Sequence, residues 1–256
     1  MNKRALVALL VCLTSRAPAQ VPEQFENLRF FPKNIARDSL LAVMRSFSFA
    51  LGVRCVHCHV GEDSPTLAGV DFKSDEKASK RTARAMLQMV ADINTKVVAA
   101  VPHGAPIIVR CATCHRGIPR PIPLEDSIYK VVAARGGAAA LTEYDTLRVL
   151  YNGRAAFDFG SGTLIRVSER LFAEKRHEDA LPLLRRNAEL FPRGWNTYWD
   201  LGRHLEALQR PAEAVTAYRA VLERLPNHPG AAARLRVLAP PGDVRFAAVV
   251  RLPRRR

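Results

Sequence analysis

Two stripes of mostly apolar side chains follow helical spacing in the first half of the chain. The first comprises Leu40, Met44, Phe47 and Leu51, and the second comprises Thr82, Met86, Met89, Ile93 and Val97. Each stripe predicts an amphipathic helix. Asp38 is the expected N-cap of the first helix and Gly52 its expected end. The loop 102–106 has a proline at each end and is expected to end the second helix.

In the second half, an apolar pattern recurs with a period of 34 residues. Leu171, Ala180, Leu184 and Pro192 return as Leu205, Ala214, Tyr218 and Pro226. This period resembles that of the tetratricopeptide repeat, in which each repeat is a pair of packed helices. Further helices are expected at 127–135 and 141–151, completing the stack, and at 229–238, capping it. Because the periodic segments are all helical, the predicted fold class is all-α.

The segment 1–19 has the features of an export signal. A basic start at 2–4 precedes an apolar run at 5–14 and small residues at 17–19. Such a segment is removed during export, here with a cut after Ala19. The apolar run is too short for a membrane span, which needs about 20 residues. The sequence therefore predicts a periplasmic protein whose mature chain has no transmembrane span and keeps four of its five cysteines.

Those four cysteines form two C-x-x-C-H motifs, at residues 55–59 and 111–115. This motif is the signature of covalent c-type haem attachment. Its two thiols add to the vinyl groups on one porphyrin edge, and the histidine that follows coordinates the iron. The sequence thus predicts two covalently attached haem c groups, bound through Cys55, Cys58, Cys111 and Cys114, with His59 and His115 as iron ligands.

Other uses of paired cysteines fit the spacing less well. A zinc ribbon separates its two C-x-x-C pairs by roughly 15–20 residues, whereas the separation between Cys58 and Cys111 is far longer. A thioredoxin-like pair lies near a βαβ pattern, and no strand-rich stretch flanks either motif. Two short disulfides would leave His59 and His115 without a role.

Candidates for the sixth iron ligand are few. After signal removal only Met44, Met86 and Met89 remain, and all three lie on the helical stripes that precede the haem motifs. A methionine on an apolar stripe is ordinarily core filler. A helix laid flat against one haem face could instead deliver a methionine sulfur opposite the histidine.

The first half resembles the multihaem cytochrome c subunit family of photosynthetic reaction centres. The resemblance covers about residues 25–123 and is carried by the segments 51–59, 85–94 and 111–117. That family repeats a unit of helix, turn and C-x-x-C-H, with a ligand methionine on the helix. The resemblance implies Met44 as a ligand of the first haem and Met86 of the second. Met89 is then a packing residue, or the alternative to Met86.

This chain also departs from that family's pattern. The four-haem subunit has two further C-x-x-C-H units and a lipid-attachment cysteine, and both are missing here. The repeat half is foreign to the photosynthetic subunit. The resemblance therefore favours a two-haem relative that serves another periplasmic electron-transfer chain.

Basic residues exceed acidic ones along the whole chain, which carries a formal net charge of +15. Residues 20–125 contain 14 Lys and Arg against 10 Asp and Glu, and residues 126–256 contain 22 against 14. No basic run interleaves with aromatic residues, so nothing indicates nucleic-acid binding. The expected partners are redox proteins, acidic or membrane-bound, that meet a basic surface.

The sequence divides into four predicted segments. These are a signal peptide at 1–19, a two-haem cytochrome c domain at 20–125, a helical tetratricopeptide-like repeat domain at 126–242 and a basic tail at 243–256. The predicted function is electron transfer by two His/Met-ligated haems, with the repeats docking a partner. Two alternatives stay open: a peroxidase-like haem enzyme with one open iron site, and a repeat-based assembly protein with structural haem.

Overall fold

A computed structural model of the protein describes residues 22, 24–101 and 107–239. Within these residues the regular structure is helical and no β-strand forms, which confirms the all-α prediction. The expected signal peptide, the loop 102–106 and the basic tail lie outside the described residues. None of the described helices is long and apolar enough to cross a membrane.

Ten α-helices follow one another in the described ranges. They are α1 (Arg37–Leu51), α2 (Ala78–Asp92), α3 (Cys111–His115), α4 (Leu124–Arg135), α5 (Gly137–Tyr151), α6 (Ser161–Ala173), α7 (His177–Leu190), α8 (Trp195–Ala207), α9 (Pro211–Arg224) and α10 (Pro229–Leu238). Helix α2 continues through a π-helical turn, Ile93–Val97, into a 3-10 turn, Val98–Ala100. The chain divides into two compact units, Met1–Pro119 and Arg120–Arg256.

In the first unit, helix α1 ends where the sequence predicts but begins elsewhere. Asp38 as the N-cap is wrong, because Ala36 takes that position and makes no side-chain cap. Asp38 lies in the first turn, where its negative charge still interacts favourably with the helix dipole. Gly52 ends the helix in the left-handed conformation, with φ 65°. A Cβ atom at Gly52 would also lie 2.2 Å from the Gly117 carbonyl oxygen, so glycine is required there twice over.

The second unit is a stack of helix pairs with a regular register. Helix α6 begins at Ser161 and α8 at Trp195, and α7 begins at His177 and α9 at Pro211. Both spacings are 34 residues, which is the period that the sequence predicts. Two clusters of buried apolar side chains fill the interior of this unit. The assignment of these helix pairs to tetratricopeptide repeats stays a prediction.

One position in this stack departs from the repeat for a visible reason. A Cβ atom at Gly202 would lie 2.5 Å from the Tyr218 ring, so the second repeat needs glycine there. The first repeat has Ser168 at the equivalent place, and its Oγ lies 3.2 Å from His204 Nε2. The His204 side chain itself is buried, with 1% of its surface exposed.

Candidate haem-attachment sites

The first C-x-x-C-H motif follows α1 directly and folds as a 3-10 turn, Cys55–His57. Cys55 and Cys58 are free thiols and half-buried, and burial is the main reason that the pKa of Cys58 is raised. The amide of His59 donates to the Cys55 carbonyl over 3.0 Å, which brings the histidine to the same turn as both thiols. The three groups therefore form one local unit.

Side chains from the start of α2 hold the backbone of this motif. Ser79 Oγ donates to the His57 carbonyl over 2.5 Å, and Lys77 Nζ donates to the Val56 carbonyl. Two carbonyl groups that lie between the cysteines are thereby satisfied without help from a longer helix. Neither residue can be recognised from the sequence, since an isolated lysine and serine in a polar stretch carry no signal of such contacts.

The second motif forms the short helix α3. Its start is closed by Thr113, whose Oγ1 accepts a hydrogen bond from the Arg110 amide over 3.0 Å. Its far end is tied to α1 by the Gly117 amide, which donates to the Ala50 carbonyl over 2.9 Å. Cys111 is half-buried, Cys114 is exposed, and both thiols are free. Burial raises the pKa of the Cys111 thiol.

The tautomer of His115 follows from its hydrogen bond. Its Nδ1 lies 2.9 Å from the Ile118 carbonyl oxygen. A carbonyl oxygen can only accept, so Nδ1 is the donor, and in the neutral imidazole the free lone pair is then on Nε2. This is the arrangement that orients a histidine for metal binding.

His59 lies in a more enclosed place. Its Nδ1 is buried and has no hydrogen-bond partner among the described residues, and the Phe72 ring packs at 5.0 Å from the imidazole. Burial, followed by the positive charge of Lys80, lowers the pKa of His59 to about 4. The imidazole is therefore neutral at physiological pH, which is the form that coordinates a metal.

The three methionines differ in their surroundings. Met44 is half-buried on α1, whereas Met86 and Met89 on α2 are 41% and 45% exposed. An open groove of about 490 Å³ runs along α2, lined by Met89, Ile93 and other side chains but not by Met86. Other large apolar side chains of the first unit are also exposed, namely Phe30, Phe49, Val97, Val101, Ile107 and Ile108.

These features fit covalently held haem. Four free thiols, two histidines that each keep a ring nitrogen for a metal, and an uncovered apolar surface lie in one unit. A haem is a large apolar plate that needs this combination. No cluster of three or more His, Cys, Asp or Glu side chains that could hold a metal ion by themselves occurs in the described ranges.

Comparison with known proteins agrees with this fit. Residues 64–143 match the family model of the photosynthetic reaction centre cytochrome C subunit. Over 72 residues the chain is 39% identical to cytochrome c-554 of Chloroflexus aurantiacus, a stretch that makes up 28% of this chain and 16% of that protein. The similarity to the reaction-centre cytochrome c family is thereby confirmed for residues 64–143. The segment 64–143 that matches the family model contains α2 and the second motif, and the first motif precedes it.

Proposed function

We propose that this protein is a periplasmic c-type cytochrome that carries electrons through two covalently attached haems. The observation that carries the proposal is that two C-x-x-C-H units, each tied by hydrogen bonds to a flanking helix, lie in a unit with an uncovered apolar surface. Bound haem supplies a one-electron iron couple there. The relation to reaction-centre cytochromes supports the same chemistry.

The chain's own residues have distinct roles in this proposal. Cys55, Cys58, Cys111 and Cys114 hold the two porphyrins, and His59 and His115 provide one iron ligand each. Met44 and Met86 would provide the second protein ligand of each iron, with Met89 as the alternative to Met86. With a histidine and a methionine on each iron, no ligand position would remain for a substrate, so the protein would exchange electrons rather than act as a peroxidase. Methionine ligation and burial raise the reduction potential.

The repeat unit is proposed as the docking surface for the redox partner. Stacked helix pairs commonly present an extended concave face to other proteins. Residues 126–256 hold the larger basic excess, 22 Lys and Arg against 14 Asp and Glu, so an acidic partner is favoured. Electron exchange with such a partner should slow as salt rises, because the Debye length is only about 8 Å at physiological ionic strength.

A redox titration followed by absorption spectra tests the proposal on protein matured with c-haem machinery. Two attached haems, both low-spin and both with the methionine-to-iron charge-transfer band, are expected. A high-spin signal from half of the iron would instead indicate an open site and a haem enzyme. Retention of function after the haems have been made redox-inactive would indicate an assembly protein.

Substitution of the methionines identifies the ligands. Met44→Ala should turn one haem high-spin and lower its potential while the other keeps its spectrum, and Met86→Ala should do the same to the other haem. Met89→Ala is the matched control on the same helix and should keep both charge-transfer bands. Loss of the second band in Met89→Ala but not in Met86→Ala would assign the ligand of the second haem to Met89, one helical turn further along α2.

A further inference from the structure

Lys80 is the one charged side chain that is buried among the described residues of the first unit. It is 8% exposed and lies near the start of α2. Its Nζ donates to the carbonyls of Phe72 and Ser74, each over 2.7 Å, and lies 3.4 Å from Asp75. A buried ammonium group is costly unless it is held in this way.

Asp75 joins three parts of the chain around Lys80. Its carboxylate accepts from Arg84 over 2.7 Å and from Arg29 over 2.9 Å, and from Asn27 Nδ2 over 2.9 Å. Arg84 is the largest cause of a strongly lowered pKa at Asp75, so the carboxylate stays ionised at neutral pH. Three cations around one anion leave this cluster with a net positive charge.

This cluster is connected to His59 through Phe72. Lys80 bonds to the carbonyl of Phe72, the residue whose ring packs on the His59 imidazole. The positive charges of Lys80 and Arg84 both disfavour a further positive charge on that imidazole, and the negative charge of Asp71 is the smaller opposing effect. The side chains of Lys80 and Arg84 are only 10% and 20% exposed, so salt screens their field weakly.

We propose that Lys80, fixed by Asp75, is a positioning residue that raises the reduction potential of the haem held by Cys55 and Cys58 above that of the haem held by Cys111 and Cys114. This inference rests on the proposed function. Oxidation of an iron adds one positive charge, and a nearby fixed cation makes that addition less favourable. The described residues around the second motif include no buried lysine or arginine. An electron shared between the two haems would therefore reduce the first haem in preference to the second.

Charge substitutions with opposite signs test this inference on the full-length, haem-loaded protein at neutral pH. Lys80→Gln should lower one of the two midpoint potentials by an amount equal to at least a tenfold change in the reduction equilibrium, which is about 59 mV for one electron. Asp75→Asn should raise the same potential, because it removes the anion and keeps hydrogen-bonding atoms. Lys80→Arg should leave it near the wild-type value.

The matched control is Lys73→Gln, at an exposed lysine that precedes α2 and pairs with Glu26. It should leave both potentials unchanged at high salt, whereas the effect of Lys80→Gln should persist there. Replacement of both Cys111 and Cys114 by alanine removes the second haem, so the midpoint potential that remains in the redox titration belongs to the first haem.

Three results would overturn the inference. They are unchanged potentials in Lys80→Gln, shifts of the same sign in Lys80→Gln and Asp75→Asn, and a shift confined to the second haem. If Lys80→Gln does not fold, the sign of the Asp75→Asn shift decides, because only a rise is compatible with the inference. Failure of the wild-type chain to attach haem would contradict the proposed function, which is a different outcome from haem that attaches and does not respond to Lys80.

Discussion

The two units of the protein differ in how many apolar side chains they bury. In the repeat unit, two clusters of buried apolar side chains lie between the helices. In the described part of the first unit, only Leu40, Ala50 and Ile118 are buried apolar side chains. Apolar burial is the main source of folding free energy. A unit with so few buried side chains must gain its stability from another apolar body, and in the proposed function the two haems provide it.

The largest expected effect follows from withholding haem. Protein made without c-haem machinery should lose protected structure over 24–119 and keep it over 124–238, because only the second unit has its own apolar core. Hydrogen exchange resolved by peptide measures both regions in one sample. Unfolding followed by tryptophan fluorescence provides an internal control, since both tryptophans, Trp195 and Trp199, lie in α8. Equal protection of α1 and α2 with and without haem would contradict the comparison.

A smaller effect is expected from a cavity in the repeat core. Leu183 is fully buried in the first cluster, so Leu183→Ala should lower the free energy of unfolding of this unit by about 2–5 kcal/mol. Urea unfolding followed by tryptophan fluorescence measures it, and the haem spectrum should not change. The control is Val149→Ala, since Val149 is 86% exposed and its loss should cost less than about 0.5 kcal/mol. Equal effects of the two substitutions would mean that this cluster does not stabilise the unit.

The smallest expected effect concerns a buried carboxylate between the repeats. Burial is the main reason that the pKa of Asp200 is raised to about 6, although Arg203 lies 3.3 Å away. Ionisation of Asp200 therefore destabilises the folded state. Asp200→Asn should raise the free energy of unfolding at pH 7 by about 1–3 kcal/mol, since each pKa unit corresponds to about 1.4 kcal/mol. The gain should disappear below about pH 4, where the carboxyl group is protonated in both folded and unfolded chains.

His204 changes the pH profile in the opposite direction. Burial, followed by the charge of His177, lowers the pKa of His204 to about 4, below its ordinary value of 6.5. The unfolded chain then binds the proton more tightly, so stability falls as the pH drops from about 6.5 to about 4. In the wild type, Asp200 opposes this fall, and Asp200→Asn should expose it. Asp126→Asn, at an exposed carboxylate, is the control and should leave the pH profile unchanged.

Local patterns were sufficient for several features of the fold. The helical stripes predicted α1 and α2, and Gly52 predicted the end of α1, because these features depend on residues within a few turns of one another. The repeat period predicted the register of α6 to α9 for the same reason, since each repeat is one local unit that recurs. The N-cap of α1 was wrong because Ala36 begins that helix without any side-chain cap.

The chemistry of attachment was also contained in the sequence alone. C-x-x-C-H places two thiols and an imidazole on one turn, so residues 55–59 and 111–115 could be recognised without a structure. What only the tertiary structure decided is the surroundings of each motif. The enclosure of His59 by Phe72 and Lys80, the bond from His115 to Ile118 and the burial of His204 join side chains through the folded chain. Burial and charge at such places depend on how distant segments pack, and no local pattern of residue types encodes that.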